Sequence, residues 1–273
     1  MKRKIIALLA FVSVFCSLSA QKVNETVTLF GKDQLQGFTI NIDNYSMAVV
    51  DGAMADLFEN QYKLKGSKKK GYHVYENQPC SAFGEARYDI YYTTAEVGKK
   101  NNKTVQLTLV VSTGNMNCIT FANDPRTSRN IVGFLERFPV VTEAYNTKLR
   151  IESLESELAK LNKERENLLK DRAKVEDKIA TTNDNLKQTT ENLDKINSRM
   201  AELQEEFNKS QDPKLAEELD QASKEKQTLQ KTQTNSQKSL LNLNNDLVKI
   251  NAKLEKNAQD IEKAENELKT LKN

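Results

Sequence analysis

The chain has 273 residues, room enough for two domains, with 41 Lys+Arg against 38 Asp+Glu. Three of the basic residues, Lys2, Arg3 and Lys4, sit in a segment expected to be removed, which leaves 38 against 38 and no global basic footprint for nucleic acid. No apolar run approaches the roughly 20 residues that a membrane span requires.

The N-terminus has the layout of an export signal. Lys2, Arg3 and Lys4 form a positive region, Ile5 to Phe15 an apolar one, and Ser17-Leu18-Ser19-Ala20 a mostly small-residue cleavage region. Cleavage is expected after Ala20, with a cut after Ser19 as the alternative because Leu18 is larger than such sites prefer. Lipid attachment at Cys16 is disfavoured by the bulky Phe15 before it. The expected product is periplasmic or extracellular. A short, Lys-rich signal reads as bacterial, so the sequons at Asn24, Asn44, Asn102 and Asn208 are discounted.

Once Cys16 leaves with the signal, Cys80 and Cys118 remain as an even pair in an oxidising compartment. They are either a disulfide closing a long loop, worth about 2–4 kcal/mol, or two buried free thiols.

Residues 21–141 read as an α+β domain with an antiparallel sheet and helices on one face. Strands are expected at Val27–Phe30 and Phe38–Ile42. A helix follows from Tyr45 to Tyr62, with Val49, Val50, Ala53, Met54, Leu57 and Phe58 on one side. Tyr72–Asn77 is extended. Tyr88, Ile90 and Tyr92 then alternate with polar or opposite-facing residues, as do Val105, Leu107, Leu109 and Val111. Gly98 and Asn101-Asn102 fit a hairpin turn between these two runs. Cys118–Phe121 reads as a short strand. Asp124-Pro125 is an N-cap followed by an N1 proline, opening a helix with Ile131, Phe134, Leu135 and Phe138 inward. Pro139 is expected to interrupt that helix, with Thr142 capping the next.

Signals for catalysis are sparse. His73 is the single histidine; seven residues along a strand would place Cys80 about 23 Å away, unless Pro79 turns the chain. One histidine and two distant cysteines make no zinc site, and no phosphate-cradling loop or nucleophile elbow is present. The chain is therefore expected to have no catalytic residues, cofactor or metal. Two lysine groups would suit an anionic envelope polymer or lipid headgroup: Lys68, Lys69 and Lys70, near Lys63 and Lys65, and Lys99, Lys100 and Lys103. The alternative is solvated loop tips. Adjacent Tyr91 and Tyr92 must face opposite sides of a strand, so one aromatic lies off the main core face.

Beyond Tyr145 the only aromatic residue is Phe207, the only proline is Pro213, and no glycine occurs after Gly133. From Ile151 an apolar seam recurs every three and then four positions to Phe207, and again from Leu215 to Leu271. The phase slips at Asp212-Pro213, a helix-start pair. Residues 142–273 are therefore expected to form an antiparallel coiled-coil hairpin turning near 208–213, with arms of roughly 57 residues, about 85 Å long; a parallel homodimeric rod is the rival. Mirroring the arms about residue 211 sets Arg165 level with Asn257 and Thr189 with Gln233. The Thr- and Asn-rich stretches 181–190 and 232–236 fall at one height, a predicted soft waist.

These readings point to a non-catalytic exported envelope protein acting as a coiled-coil scaffold or protein-interaction module. It would engage a protein partner or self-associate through the coil, without nucleic acid or a membrane span. The alternatives are a periplasmic holdase-type chaperone and a glycan- or lipid-binding head on a coiled-coil stalk. In layout the chain looks like the tentacle-bearing chaperones that hold outer-membrane proteins. It departs from them in that the hairpin follows the head and the mature surface is not strongly basic.

Overall fold

The computed structural model describes residues 22–99 and 102–273; the expected signal, 1–20, lies outside them. The chain divides into two compact units, one ending at Arg150 and the other spanning Ile151–Asn273. The first is an α+β domain and the second a helical hairpin.

In the first unit six strands form one antiparallel sheet. They are β1 (Asn24–Phe30), β2 (Asp33–Ile42), β3 (Ser67–Lys69), β4 (Tyr72–Pro79), β5 (Arg87–Lys99) and β6 (Asn102–Ser112), in the spatial order β1-β2-β6-β5-β4-β3. β5 and β6 pair from Asp89↔Ser112 to Lys99↔Asn102, the hairpin anticipated from Gly98 and Asn101-Asn102. The short strand expected at Cys118–Phe121 reduces to a single bridge, Ser112↔Cys118. α1 (Met47–Ala55) is capped by the Ser46 hydroxyl and continues into a π-helical turn at Asp56–Gln61.

Strand alternation sorts the apolar residues onto two faces. Phe38, Ile40, Ile42, Ile90, Tyr92, Leu107, Leu109 and Val111 form the main core with α1, the π turn and Ile131, Phe134, Leu135 and Phe138 of α2 (Pro125–Ser210). Phe30, Leu35, Tyr72, Val74, Tyr91, Val110 and Cys118 form a second cluster. Tyr91 thus does face away from Tyr92, and it is buried there.

What covers the second cluster is the sheet itself. β1 and β4 are separated by three strands, yet Phe30 packs edge-on against Tyr72 at 5.6 Å and, tilted, against Tyr91 at 5.1 Å. The Thr28 and Tyr72 hydroxyls hydrogen-bond, and the Lys70 ammonium lies 4.5 Å over the Phe30 ring. The sheet therefore coils until the β1–β2 corner folds over the β3–β4 corner, in keeping with the twist of strands.

α2 runs through Pro139 without the expected interruption, and Thr142 is not a cap. Pro139 removes one N–H from the ladder. The buried Thr142 hydroxyl donates to the Phe138 carbonyl next to it, and Phe138 on the core side keeps the segment packed. The first unit extends beyond this point: Lys148 pairs with Asp56 at 3.3 Å.

In the second unit, residues 151–210 of α2 pair with α3 (Pro213–Lys272). Asp212 caps α3, its carboxylate accepting from the Lys214 N–H, with Pro213 in the first turn and Gln211 at φ +55° in the connection. Among the predicted seam positions of both arms, Arg165 alone is exposed. Cross-arm contacts join the two arms. The Gln233 amide donates to the Thr190 hydroxyl, one residue from the Thr189 level set by mirroring about residue 211. Lys272 pairs with Glu155 at 2.7 Å and the Asn257 amide donates to the Leu161 carbonyl, each about one helical turn from its mirrored level. At the mid-level Thr182, Thr189, Thr190, Thr228, Thr232 and Thr234 each bond back to the carbonyl four residues earlier, which weakens a helix. Amide exchange over residues 182–189 should therefore be faster than in the adjoining heptads. Slower exchange there, resolved by mass spectrometry of overlapping peptides, would contradict a soft waist.

Candidate functional site

A constellation of polar side chains lies where α1 crosses β4 and β5. His73 is on β4, Thr93 and Thr94 on β5, Lys68 on β3, and Asp51 on α1 beside Met47. Together they line a cleft of about 330 Å³. The Asp51 carboxylate lies 3.1 Å from His73 Nε2 and 3.8 Å from the Lys68 ammonium, and it accepts from the Thr94 hydroxyl at 3.5 Å. Tyr92 donates from its phenol to the Asp51 carbonyl, and the His73 ring stacks on the Tyr92 ring, 4.4 Å apart and nearly parallel.

An imidazole–carboxylate pair is half of a catalytic triad, but its use as a base needs the second ring nitrogen presented to a nucleophile. Here Nε2 is taken by Asp51 and one ring face by Tyr92. Hydroxyls of Thr93 and Thr94 line the cleft, whereas Cys80 does not. The arrangement clamps α1 to the sheet through a carboxylate held by hydrogen bonds from His73 and Thr94 and an ion pair with Lys68.

Cys80 and Cys118 are both buried free thiols, the second of the two readings their even count allows. The alternation of the sheet separates them: Cys80 belongs to the main core and Cys118 to the second cluster. Burial pushes the Cys80 thiol up to about 11 and raises that of Cys118. Neither is poised as a thiolate nucleophile. Burial likewise raises the Tyr75 and Tyr92 phenols far above their ordinary value, keeping both neutral.

The lysine cluster at the β3–β4 hairpin is dispersed by strand alternation. Lys68 meets Asp51, Lys69 meets Glu76 at 2.8 Å, and Lys70 meets Asp33 at 3.8 Å. Each of the three therefore already faces a carboxylate, which offsets its attraction for an incoming anion. Lys99 and Lys103 fall at the paired ends of β5 and β6, and Lys100 lies outside the described residues, as do the side chains of Lys99 and Lys103. Among the described residues no group of three or more His, Cys, Asp or Glu is arranged to hold a metal, and no helix is long and apolar enough to cross a membrane.

No protein-family model matches this sequence, and no curated protein matches it at a significant level.

Asp51 is the site residue that sequence reasoning missed. A signal for it existed: a lone acid beside the apolar stripe Val50, Ala53 and Met54, on a helix due to cover a sheet that carries the only histidine. What could not be read was the phase of β4 against β5, which brings His73 opposite Tyr92.

Two other carboxyls bear on stability. Side-chain hydrogen bonds from Asn60, and further ones from Lys148, hold Asp56 below the usual carboxylate range. The Thr127 N–H does the same for Asp124, the residue capping α2. A depressed native value means this stabilisation is complete above the ordinary carboxyl value and is lost as pH falls through the lowered one. Denaturant midpoints of the first unit should accordingly fall between pH 5 and about pH 3, less in an Asp56→Asn, Asp124→Asn variant than in wild type.

Proposed function

We propose that this is a non-catalytic exported envelope protein whose helical hairpin serves as a scaffold or protein-interaction module. The observation that carries the proposal is the hairpin itself. Two helices pair along a seam that stays at least half-buried at every predicted position but Arg165, while their outer faces carry both signs of charge. Burying that seam orders a long double helix whose outer faces remain free for partners. The paired lysines of the β3–β4 hairpin favour this reading over a head that binds anionic glycan or lipid.

Photo-crosslinking residues placed at outward positions of the hairpin, in the full chain with its signal, test it. A scaffold gives one or a few discrete adducts in the envelope fraction. A diffuse ladder of many clients, together with suppression of client aggregation by the purified protein, would replace this reading with a holdase. Cytoplasmic retention would refute export.

A further inference from the structure

The two edges of the sheet are built differently. β3, at one edge, has three residues, two of them lysines, which is how proteins blunt an edge against strand addition. β1, at the other, pairs with β2 without a bulge along all seven residues and contains one charged residue, Glu25. No strand lies on its outer side among the described residues. It presents Val27 and Leu29, 60% and 62% exposed, on the same face. Two hollows of about 370 and 300 Å³ adjoin this strand and share Val27 and Gln36 as walls. Met116 borders the second, and Phe121, close by, donates its N–H to Glu25; both side chains are also exposed.

We propose that β1 is a self-association edge, pairing antiparallel with β1 of a second copy so that the two sheets become continuous. Side-chain chemistry selects the register. Two identical strands related by a twofold axis can centre on Val27 or on Thr28. Centring on Val27 sets Leu29 opposite Glu25 of the second copy and Lys22 opposite Lys32. Centring on Thr28 sets Val27 opposite Leu29, twice by symmetry, and sets Glu25 opposite Gly31 and Lys32 opposite Asn24 of the second copy, so no like charges face each other. Apolar cross-strand pairs and opposite charges stabilise a sheet, whereas like charges facing each other oppose it. The Thr28 register wins on both counts. An isologous interface of this kind closes as a dimer.

The inference is independent of the hairpin, and so is its test. Val27→Cys and Leu29→Cys are made singly in full chains carrying Cys16→Ser, where the remaining thiols, Cys80 and Cys118, are 1% and 8% exposed. Both substituted positions are exposed and should leave folding intact, which circular dichroism verifies. Directly opposed Cβ atoms lie about 5 Å apart and diagonal ones about 7–8 Å, and a disulfide needs about 4 Å, so mild oxidation should yield about fivefold more covalent dimer from a mixture of the two variants than from either alone. In sedimentation velocity without cysteine variants, Leu29→Lys should shift the population toward monomer. The proposal is overturned if the mixture crosslinks no better than its components, if Val27→Cys alone matches it, or if Leu29→Lys leaves the association unchanged. A dimer formed only through the hairpin would give the first and last of these results.

Discussion

Phe58→Ala should destabilise the first unit by about 3–5 kcal/mol, the usual cost of truncating a fully buried phenylalanine. Phe58 is wholly inaccessible and stands at the centre of an aromatic cluster. It stacks on Phe134 of α2 at 5.7 Å, nearly parallel, meets Tyr75 edge-on at 5.2 Å, and approaches Tyr62, Phe83 and Tyr92. One side chain therefore joins the π-helical turn to the sheet and to α2. The measurement has a convenient reporter, because all eight tyrosines lie at or before Tyr145, within the first unit. Loss of near-ultraviolet tyrosine ellipticity with denaturant then reads that unit alone. Phe58→Leu separates burial from ring geometry. It retains most of the apolar volume and should cost about 1–1.5 kcal/mol, the worth of the lost aromatic pairs. An alanine variant that loses less than about 1 kcal/mol would mean that the cluster collapses to fill the space.

The hairpin was legible in the sequence because a coiled-coil seam is a local, repeated signal. Each of its positions is tested by neighbours three and four residues away, and the Asp212-Pro213 slip marks the turn with one helix-start pair. The strands with clean alternation, β5 and β6, were legible for the same reason. β3 was not. Three residues, Ser67–Lys69, carry no apolar pattern, and their strand character comes only from pairing with β4. Pro139 misled because local chemistry opposes a helix there, while tertiary packing of Phe138 in the main core sustains it.

The cysteines and the clamp share a different difficulty. Whether two residues meet across a sheet depends on strand order and phase, and neither is encoded near the residues concerned. An even cysteine count left a disulfide and two free thiols both open; the thiols are free, in clusters that the alternation of the sheet keeps on separate faces. The same alternation divides Lys68 from Lys69 and sends each to its own carboxylate. A charge cluster in one dimension became separate ion pairs in three. The coil of the sheet, which brings Phe30 to Tyr72 and Tyr91, is a further consequence of order that no single strand announces.

Asn257→Leu is expected to stabilise the second unit by about 1–2 kcal/mol while raising the fraction of intermolecular species. Asn257 occupies a seam position and is 4% exposed. Its amide donates to the Leu161 carbonyl at 3.0 Å, but its own side-chain oxygen has no partner. Leaving a buried acceptor unsatisfied costs about 1–3 kcal/mol. Leucine removes that cost, adds apolar area, and leaves the Leu161 carbonyl its helical partner. The reason to keep asparagine in a seam is specificity, because one polar seam residue penalises partners and registers that leave it unpaired. Within one chain the short Gln211-Asp212 connection already fixes the register, so that penalty acts against arms pairing with other molecules. The variant should therefore show a higher denaturant midpoint, followed by helical ellipticity, and a larger dimer fraction in sedimentation velocity. An Asn257→Ala control, which removes the amide without adding volume, should not gain dimer. If leucine raises stability and the chain stays as monomeric as wild type, the specificity role fails. If stability falls, the seam at Leu161 and Arg165 is too tight for a branched apolar side chain, and the unsatisfied oxygen was not the dominant cost.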